Sequence, residues 1–452
     1  MKPDNHHARG EDHVRPLVLL SSVAASAVFV TYALSPSDML LALGVFVMFL
    51  PLLLATSNEL MMLIWFYAPN TAMFRIENGL TLLTFFIAAV LLRYVMRGRV
   101  VISLRLAVAL AFLAAGTLAA SALSGGMGLI LPFVGFVSLL VCVNSWISDN
   151  AHALLDSYRT VFRSFVLGCA VSVACGIAYH LAMRGELFGS RFSSVGADPN
   201  YYGLVMAFAA SLVLVDLLES SSARGSQALV GFLLVLSGLL SVSRAFVVSV
   251  AVNLVAVAAL LVGRSGIRMM AKFAIVTILV GGTVTAGSIM RPVIESYETR
   301  FSAQSVVTLG DRTSLFDTYT HLWLQDSKSV LFGLGDPADL YRKGLVPGVQ
   351  HNYYLEVVSS IGVLGAIPLA LVYVAIWRVA HTGAQRTRGR RSRIILLPAL
   401  TLMLSLLSLN ALFSDVHLVL GVLWMLQHAV YTQSQPLEVL RAVSTDDLPT
   451  RA

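Results

Sequence analysis

LAVALAFLAAGTLAASALSGGMGLILPFVGFVSLLVCVNSWI, residues 106–147, holds two uncharged apolar runs parted by Ser124-Gly125-Gly126. Each run is close to the ~20 residues that an α-helix needs to span the hydrocarbon of a bilayer. Similar runs recur at about 17–34, 39–56, 79–96, 165–183, 202–219, 227–242, 245–263, 272–290, 355–377, 394–413 and 416–431. Composition agrees: 57% of the 452 residues are hydrophobic and 12% charged, against roughly a quarter charged in a soluble domain. The pattern predicts an all-α, polytopic transmembrane helix bundle of about 12–14 helices.

A weaker run, Leu60 to Ala68 extended to about Phe74, is a marginal crossing because of Asn58, Glu59 and Pro69. Basic residues in short loops orient the bundle. Arg386, Arg388, Arg390, Arg391 and Arg393 mark the 378–393 loop as cytoplasmic. Arg264, Arg268 and Lys272 mark a second such loop, Arg159 and Arg163 a third, and Arg97, Arg99 and Arg105 a fourth. All four fit one alternation, which puts the N-terminus inside only if the Leu60 run crosses. A cleaved signal segment is disfavoured, because Asp4, Glu11 and Asp12 dilute its basic flank and no small-residue cleavage site follows.

The chain divides into a cytoplasmic tail (1–15), an N-terminal membrane bundle (16–290), a long outer loop (291–354), C-terminal membrane helices (355–431) and a second cytoplasmic tail (432–452). The net charge of +7 reflects the cytoplasmic loops. It signals orientation and anionic membrane lipids as partners, with no nucleic acid. Cys142, Cys169 and Cys175 have no metal-ligand spacing and read as small apolar residues. No P-loop, dinucleotide fingerprint, HExxH or internal repeat is present, which argues against ATP-driven transport within this chain.

The alternation gathers residues 184–202, 241–244, 290–355 and 414–417 on the outer face. RGELFGSRFSSVGADPNYY (184–202) is a turn-rich connection in which Asp198 or Asn200 can cap the following helix. Arg191 sits where the positive-inside bias disfavours it. Its planar fork suits a phosphate oxygen pair, although a plain surface cation is the competing reading. Ser241-Val-Ser-Arg244 joins two apolar helices with almost no loop. A charge there either snorkels to the interface or meets an anion.

In the long loop, Leu315, Phe316, Tyr319, Leu322 and Trp323 have helical spacing, which predicts an amphipathic helix lying on the bilayer. Arg312 stands near its start, available to a phosphate, to Asp311 or to Asp317. Phe332-Gly-Leu-Gly-Asp-Pro337 is a turn whose backbone can approach a ligand, or simply a loop. VPGVQHNYYLEVVSSIGVLGAIPL (346–369) then re-enters the bundle. His351 precedes the helix, Asn352 can cap it or hydrogen-bond a sugar, and Glu356 suits its positive N-terminal end. Gly362 and Gly365, one turn apart, let another helix approach. His152, His180 and His321 read as structural. His351 is set apart by its polar surroundings and membrane address, and an imidazole of ordinary pKa, about 6.5, can take a proton from an attacking hydroxyl. Asp415 and His417 are candidate supports.

Four features taken in order resemble the O-antigen ligase and O-antigen polymerase superfamily of bacterial membrane glycosyltransferases. They are Arg191 followed by DPNYYG, the SVSR turn at Arg244, the GDRTSLF to FGLG segment, and His351-Asn352-x9-Gly362-x2-Gly365. The resemblance covers about residues 190–371. It implies a GT-C-like fold in a bacterial inner membrane, with the site facing the periplasm. It also implies an undecaprenyl-diphosphate-linked glycan donor, a glycan or lipid-core acceptor, and no metal or other cofactor. Carried over by residue, Arg191 and Arg244, with Arg312 beside them, would hold the diphosphate, and His351 would be the general base or orient the acceptor. Asn200, Asn352, Tyr353 and Glu356 are candidate sugar or orienting contacts, and Tyr201, Tyr202 and Tyr354 can pack against sugar faces. Ala366 departs from the residue that ligases often carry there, so ligase and polymerase both stay open. The competing readings are a transporter or flippase of a lipid-linked or anionic substrate, and a membrane hydrolase using Asp311, Asp317 and Glu356.

Overall fold

The computed structural model describes residues 16–77, 80–150, 154–185, 191–219, 225–260, 291–301, 312–349, 351–386, 396–406, 412–413 and 421. Most apolar runs fold as helices near their expected limits. They are α1 (Pro16–Leu34), α2 (Asp38–Phe49), α3 (Pro51–Leu54), α4 (Ser57–Tyr67), α5 (Leu82–Met96), α6 (Leu104–Ser124), α7 (Ile130–Asp149), α8 (Leu154–Arg184), α9 (Pro199–Glu219), α10 (Gly225–Leu240) and α11 (Arg244–Leu260). The 39–56 run breaks into α2 and α3 because Pro51 has no N–H to continue the first helix and starts the second at its N-terminal position. Local chemistry sets other ends. Ser103 Oγ accepts from the Leu106 amide to start α6, and Gly125, at φ 65°, ends it in the left-handed region that glycine tolerates.

Among the described residues, five helices are long and apolar enough to cross a membrane: Leu104–Ser124, Ile130–Asp149, Ser157–Met183, Pro199–Leu217 and Tyr353–Val374. Shorter apolar helices accompany them. Outward-facing Phe112, Leu118, Leu364, Ile367 and Leu371 are exposed. Apolar surface of that kind is a liability in water and costs nothing against lipid tails. The protein is therefore all-α, with helices suited to a membrane.

The run near Leu60 becomes α4 followed without a gap by a 3-10 helix, Ala68–Phe74. Eleven residues at α-helical rise and seven at 3-10 rise give about 30 Å, the thickness of a bilayer's hydrocarbon. Its first polar residues meet one end of the bundle: Asn58 Oδ1 accepts from Trp146 Nε1 at 3.0 Å and from Asn150 Nδ2 at 3.1 Å. There Arg97 donates to Ser57 Oγ, and Arg99 pairs with Asp149 at 3.7 Å. Further along, Ser194 Oγ donates to Asn70 Oδ1 at 3.4 Å, and Asn70 Nδ2 donates to the Gly168 carbonyl, midway along α8, at 3.1 Å. Every side chain from Glu59 to Tyr67 is buried, and Phe29, Tyr67, Phe74 and Phe86 interlock edge to face around it. Irregular backbone is tolerated at such depth when protein, not lipid, surrounds it. A two-stranded antiparallel hairpin, β1 (Arg75–Glu77) with β2 (Leu80–Thr81), then turns the chain into α5.

The long connection after α11 carries α12 (Arg291–Phe301), α13 (Arg312–Leu324), α14 (Ser327–Phe332) and α15 (Pro337–Arg342). It leads into α16 (Tyr353–Arg386), and α17 (Leu396–Leu406) follows. The α15 region docks on the α6–α7 turn: Lys343 Nζ donates to the Ser124 carbonyl at 2.7 Å, and the Asp339 and Asp336 carboxylates face the bare Cα atoms of Gly126 and Gly128. The expected amphipathic helix is α13. It buries Tyr319 against Leu340, Val346 and Leu355 and exposes Phe316 and Leu324.

The helix α16 is broken at Gly362 (φ 62°, ψ −176°). The break frees the Ser359 and Ser360 carbonyls from their usual helical donors. The amides of Leu334 and Gly335 supply what is missing, at 2.6 and 3.0 Å. Gly365, in contrast, lies in continuous helix and meets Gly116 of α6, where an added Cβ would stand 2.8 Å from the Gly365 Cα. The two glycines expected to serve one helix contact have different tasks: one packs helix on helix, the other opens a helix to a loop.

Candidate functional site

Helix α10 ends in a turn built from residues that rarely make one. Val242 has φ 49° and is 1% exposed, a backbone region that β-branched residues avoid. The last carbonyls of a helix lack internal partners, and here those of Gly238, Leu239 and Leu240 each receive one. The Ser241 amide and hydroxyl donate to Gly238 O, and the Val242 amide and Tyr297 hydroxyl to Leu239 O. The Phe192 amide donates to Leu240 O at 3.0 Å, and Arg191 Nε to Ser241 O at 3.2 Å. Helix α11 starts at Arg244, where the Ser243 hydroxyl accepts from the Phe246 amide. Gly203 of α9 lies under this turn, its Cα so close to Ser241 and Ser243 that a methyl would sit 2.8 Å from Ser243 Cβ.

Arg191 is fixed on its other side by Asn200, whose Oδ1 accepts from Nη2 at 2.8 Å. Asn200 is free to do so because Asp198 caps α9 instead, accepting from the Asn200 and Tyr201 amides at 2.7 and 3.3 Å. The rest of the 191–197 segment is clamped as firmly. The Ser193 amide donates to His180 Nε2, the His180 ring stacks on Phe192 with centroids 5.1 Å apart, and Ser194 holds Asn70. His180 has the structural task expected of it. Tyr201 reaches back to the 3-10 helix, sharing a hydroxyl contact with Thr71 and donating to Ala68 O; Tyr202 is buried against Phe192.

The second group surrounds the start of α16. His351 is exposed one residue before Asn352, which caps the helix: its Oδ1 accepts from the Leu355 amide at 3.1 Å. Beneath them runs α13, the helix that Arg312 opens. Tyr319 Oη donates to Gly348 O at 3.2 Å, and Leu315 packs on Gly348. Tyr353 and Glu356 turn inward. The Tyr353 hydroxyl meets that of Tyr373 at 2.5 Å, and Glu356, 6% exposed, accepts from the Leu412 amide at 3.1 Å. Tyr354 donates to Met403 O in α17. These three contacts staple the first half of α16 to its surroundings and fix where His351 emerges.

The structure therefore assembles Arg191, Asn200 and Arg244 on one turn, and His351 and Asn352 over the helix of Arg312. Tyr353 and Glu356 serve as anchors within the bundle. Asp311, Asp415, His417, His152, the 272–290 run and, apart from Gly421, the 416–431 run lie outside the described residues. Sequence reasoning singled out the Ser241–Arg244 turn but missed Tyr297 and the left-handed backbone of Val242. Serine and valine between two apolar runs give no sign of a left-handed turn, since neither glycine nor asparagine is present. Among the described residues, no group of three or more His, Cys, Asp or Glu is arranged to hold a metal ion. The cysteines are buried free thiols.

Outside the spanning helices, two carboxyls depart from their ordinary behaviour: hydrogen bonds from the Ser329 amide and hydroxyl lower the Asp326 pKa, and Asp336 moves the other way. Burial against the α6–α7 turn raises the Asp336 pKa, partly offset by the Ala338 amide that it accepts. Compared with known proteins, the sequence matches no family model and no curated protein. Chemically, the first group offers two guanidiniums on a preformed turn, suited to an anion with several oxygens. The second offers an exposed imidazole, suited to proton transfer.

Proposed function

We propose that the chain is a glycosyltransferase of the O-antigen ligase or polymerase type, working in a bacterial inner membrane with its site open to the periplasm. It would move a glycan from undecaprenyl diphosphate to an acceptor hydroxyl. The acceptor oxygen forms the new bond to the anomeric carbon as the bond from that carbon to the phosphate oxygen breaks. The bonding pair leaves with the lipid diphosphate, and the hydroxyl proton passes to His351. Guanidiniums fixed in advance stabilise the departing charge without reorganising, and a positioned base contributes typically ~10²–10⁴-fold.

The observation that carries this reading is the seating of Arg191: its Nε on the Ser241 carbonyl and its Nη2 on Asn200 hold it at the turn from which Arg244 projects. The test is reconstitution of the purified protein in lipid with an undecaprenyl-diphosphate oligosaccharide. Lengthened lipid-linked chains identify a polymerase, and transfer to an added lipid core identifies a ligase. No consumption of donor with either acceptor sinks the proposal.

Transport is favoured by one observation, the broken helix at Gly362, since discontinuous helices hold substrates in many transporters. Here, however, the exposed carbonyls of the break already accept from Leu334 and Gly335, which weighs against it as a substrate site.

A further inference from the structure

The strained turn under Arg191 and Arg244 is held from outside by the first helix of the long loop. On α12, Tyr297 Oη donates to Leu239 O at 2.6 Å, and Val293, 5% exposed, packs on Val242 together with Ile294. Val242 keeps a left-handed backbone although it is β-branched and buried. Such a conformation persists only when its surroundings over-determine it. Among the described residues the surroundings include Arg191 and Phe192 on one side, Gly203 beneath, and Val293, Ile294 and Tyr297 above.

The consequence is geometric. The φ of Val242 decides where the Ser241 carbonyl points, and that carbonyl is the seat of Arg191 Nε. The same residue decides where α11 begins, and with it the root of the Arg244 side chain. A turn relaxed to ordinary backbone would move both guanidiniums together. We propose that α12 sets the spacing of Arg191 and Arg244 by clamping the Val242 turn, making Val242 and Tyr297 positioning residues for a diphosphate-bearing ligand. This rests on the anion-binding role assigned above to the two arginines. It couples the long loop to the grip: displacement of α12 loosens the ligand's phosphates.

Tyr297→Phe removes the hydroxyl alone, and Val242→Gly keeps the backbone region accessible while removing the side chain that α12 presses on. Each is compared with wild type for inorganic pyrophosphate binding by calorimetry, for KM and kcat with the lipid-diphosphate donor, and for unfolding temperature in detergent. We expect pyrophosphate affinity and donor KM to worsen about three- to tenfold, the size of a coupling between neighbouring groups, with kcat close to wild type in both variants and the unfolding temperature close to wild type in Tyr297→Phe. In an Arg191→Lys background, Tyr297→Phe should add less than in wild type, because the share of its effect that reaches Arg191 through the Ser241 carbonyl is already lost and only the share at Arg244 remains. Unchanged affinity in both variants, a loss confined to kcat, or full additivity with Arg191→Lys overturns the positioning role while leaving the anion site standing. A wild-type protein that does not bind pyrophosphate removes the anion site, and this inference with it.

Discussion

Gly333 and Gly362 meet backbone to backbone, so close that a Cβ on Gly333 would stand 2.6 Å from the Gly362 nitrogen. Both have left-handed backbone, at φ 84° and 62°. Alanine at Gly362 should therefore cost about 1–2 kcal/mol for its backbone and about 1–3 kcal/mol for overlap with the Leu331 and Gly333 backbone. Thermal unfolding in detergent reads this directly. Gly365→Ala should also destabilise, because the added methyl would stand 2.8 Å from the Cβ of Ile361 one turn back, and a Gly362→Ala protein as stable as wild type contradicts the docking described.

Replacement of His351 by alanine should abolish glycan transfer while leaving the protein inserted and folded, since the side chain is exposed. Near-normal product from that variant removes the assignment of His351 as base.

Arg191→Lys keeps the charge but cannot reproduce a fork that serves Ser241 and Asn200 together. A lost hydrogen bond to a charged group is worth about 1.5–3 kcal/mol, so donor KM should rise roughly 10- to 100-fold. Titration of the lipid-linked donor at fixed acceptor measures it, and an unchanged donor dependence marks Arg191 as purely structural.

Glu356→Gln retains an acceptor for the Leu412 amide, whereas Glu356→Leu leaves that buried amide unsatisfied. The glutamine variant should unfold near the wild-type temperature and the leucine variant should lose about 1–3 kcal/mol. Equal stability of the two would show that the carboxylate is not an anchor.

The raised pKa of Asp336 gives a pH dependence with a definite sign. Because the docked state binds the proton more tightly, this stabilisation is fully present below the ordinary value of 3.8 and is lost as pH rises through the raised value. Amide exchange across 336–343, corrected for its intrinsic pH dependence, should slow on acidification in wild type. In Asp336→Asn it should not, and the same response in that variant excludes Asp336 as its source.

Helices were legible in the sequence wherever an uninterrupted apolar run met the span of a bilayer, as at α6, α7 and α9. The α4 segment was faint in the sequence because Asn58, Glu59 and Pro69, and Asn70 after them, count against it in any local tally. Their partners, Trp146, Asn150, Gly168 and Ser194, lie far along the chain, apart from the local capping of Glu59 on Thr56. Arg191 and Arg244 were legible as misplaced charges, and Asn352 as a cap. Which of Asp198 and Asn200 would cap α9 and which would hold the arginine was not, since both types suit either task. The break at Gly362 was hidden for a similar reason: glycines one turn apart look alike until one of them meets the loop.

The α4 segment has a bearing on how the protein is made. With Asn70 and Thr71 in its 3-10 part, it is a poor independent stop for a translocating chain, and its packing depends on neighbours synthesised after it. Gly168 of α8 presses on the Phe66 backbone and accepts from Asn70, and Ser172 donates to Pro69 O. The polar groups of Pro69 and Asn70 therefore find these partners only on α8, a helix made after them, and until then they carry their desolvation cost unrelieved.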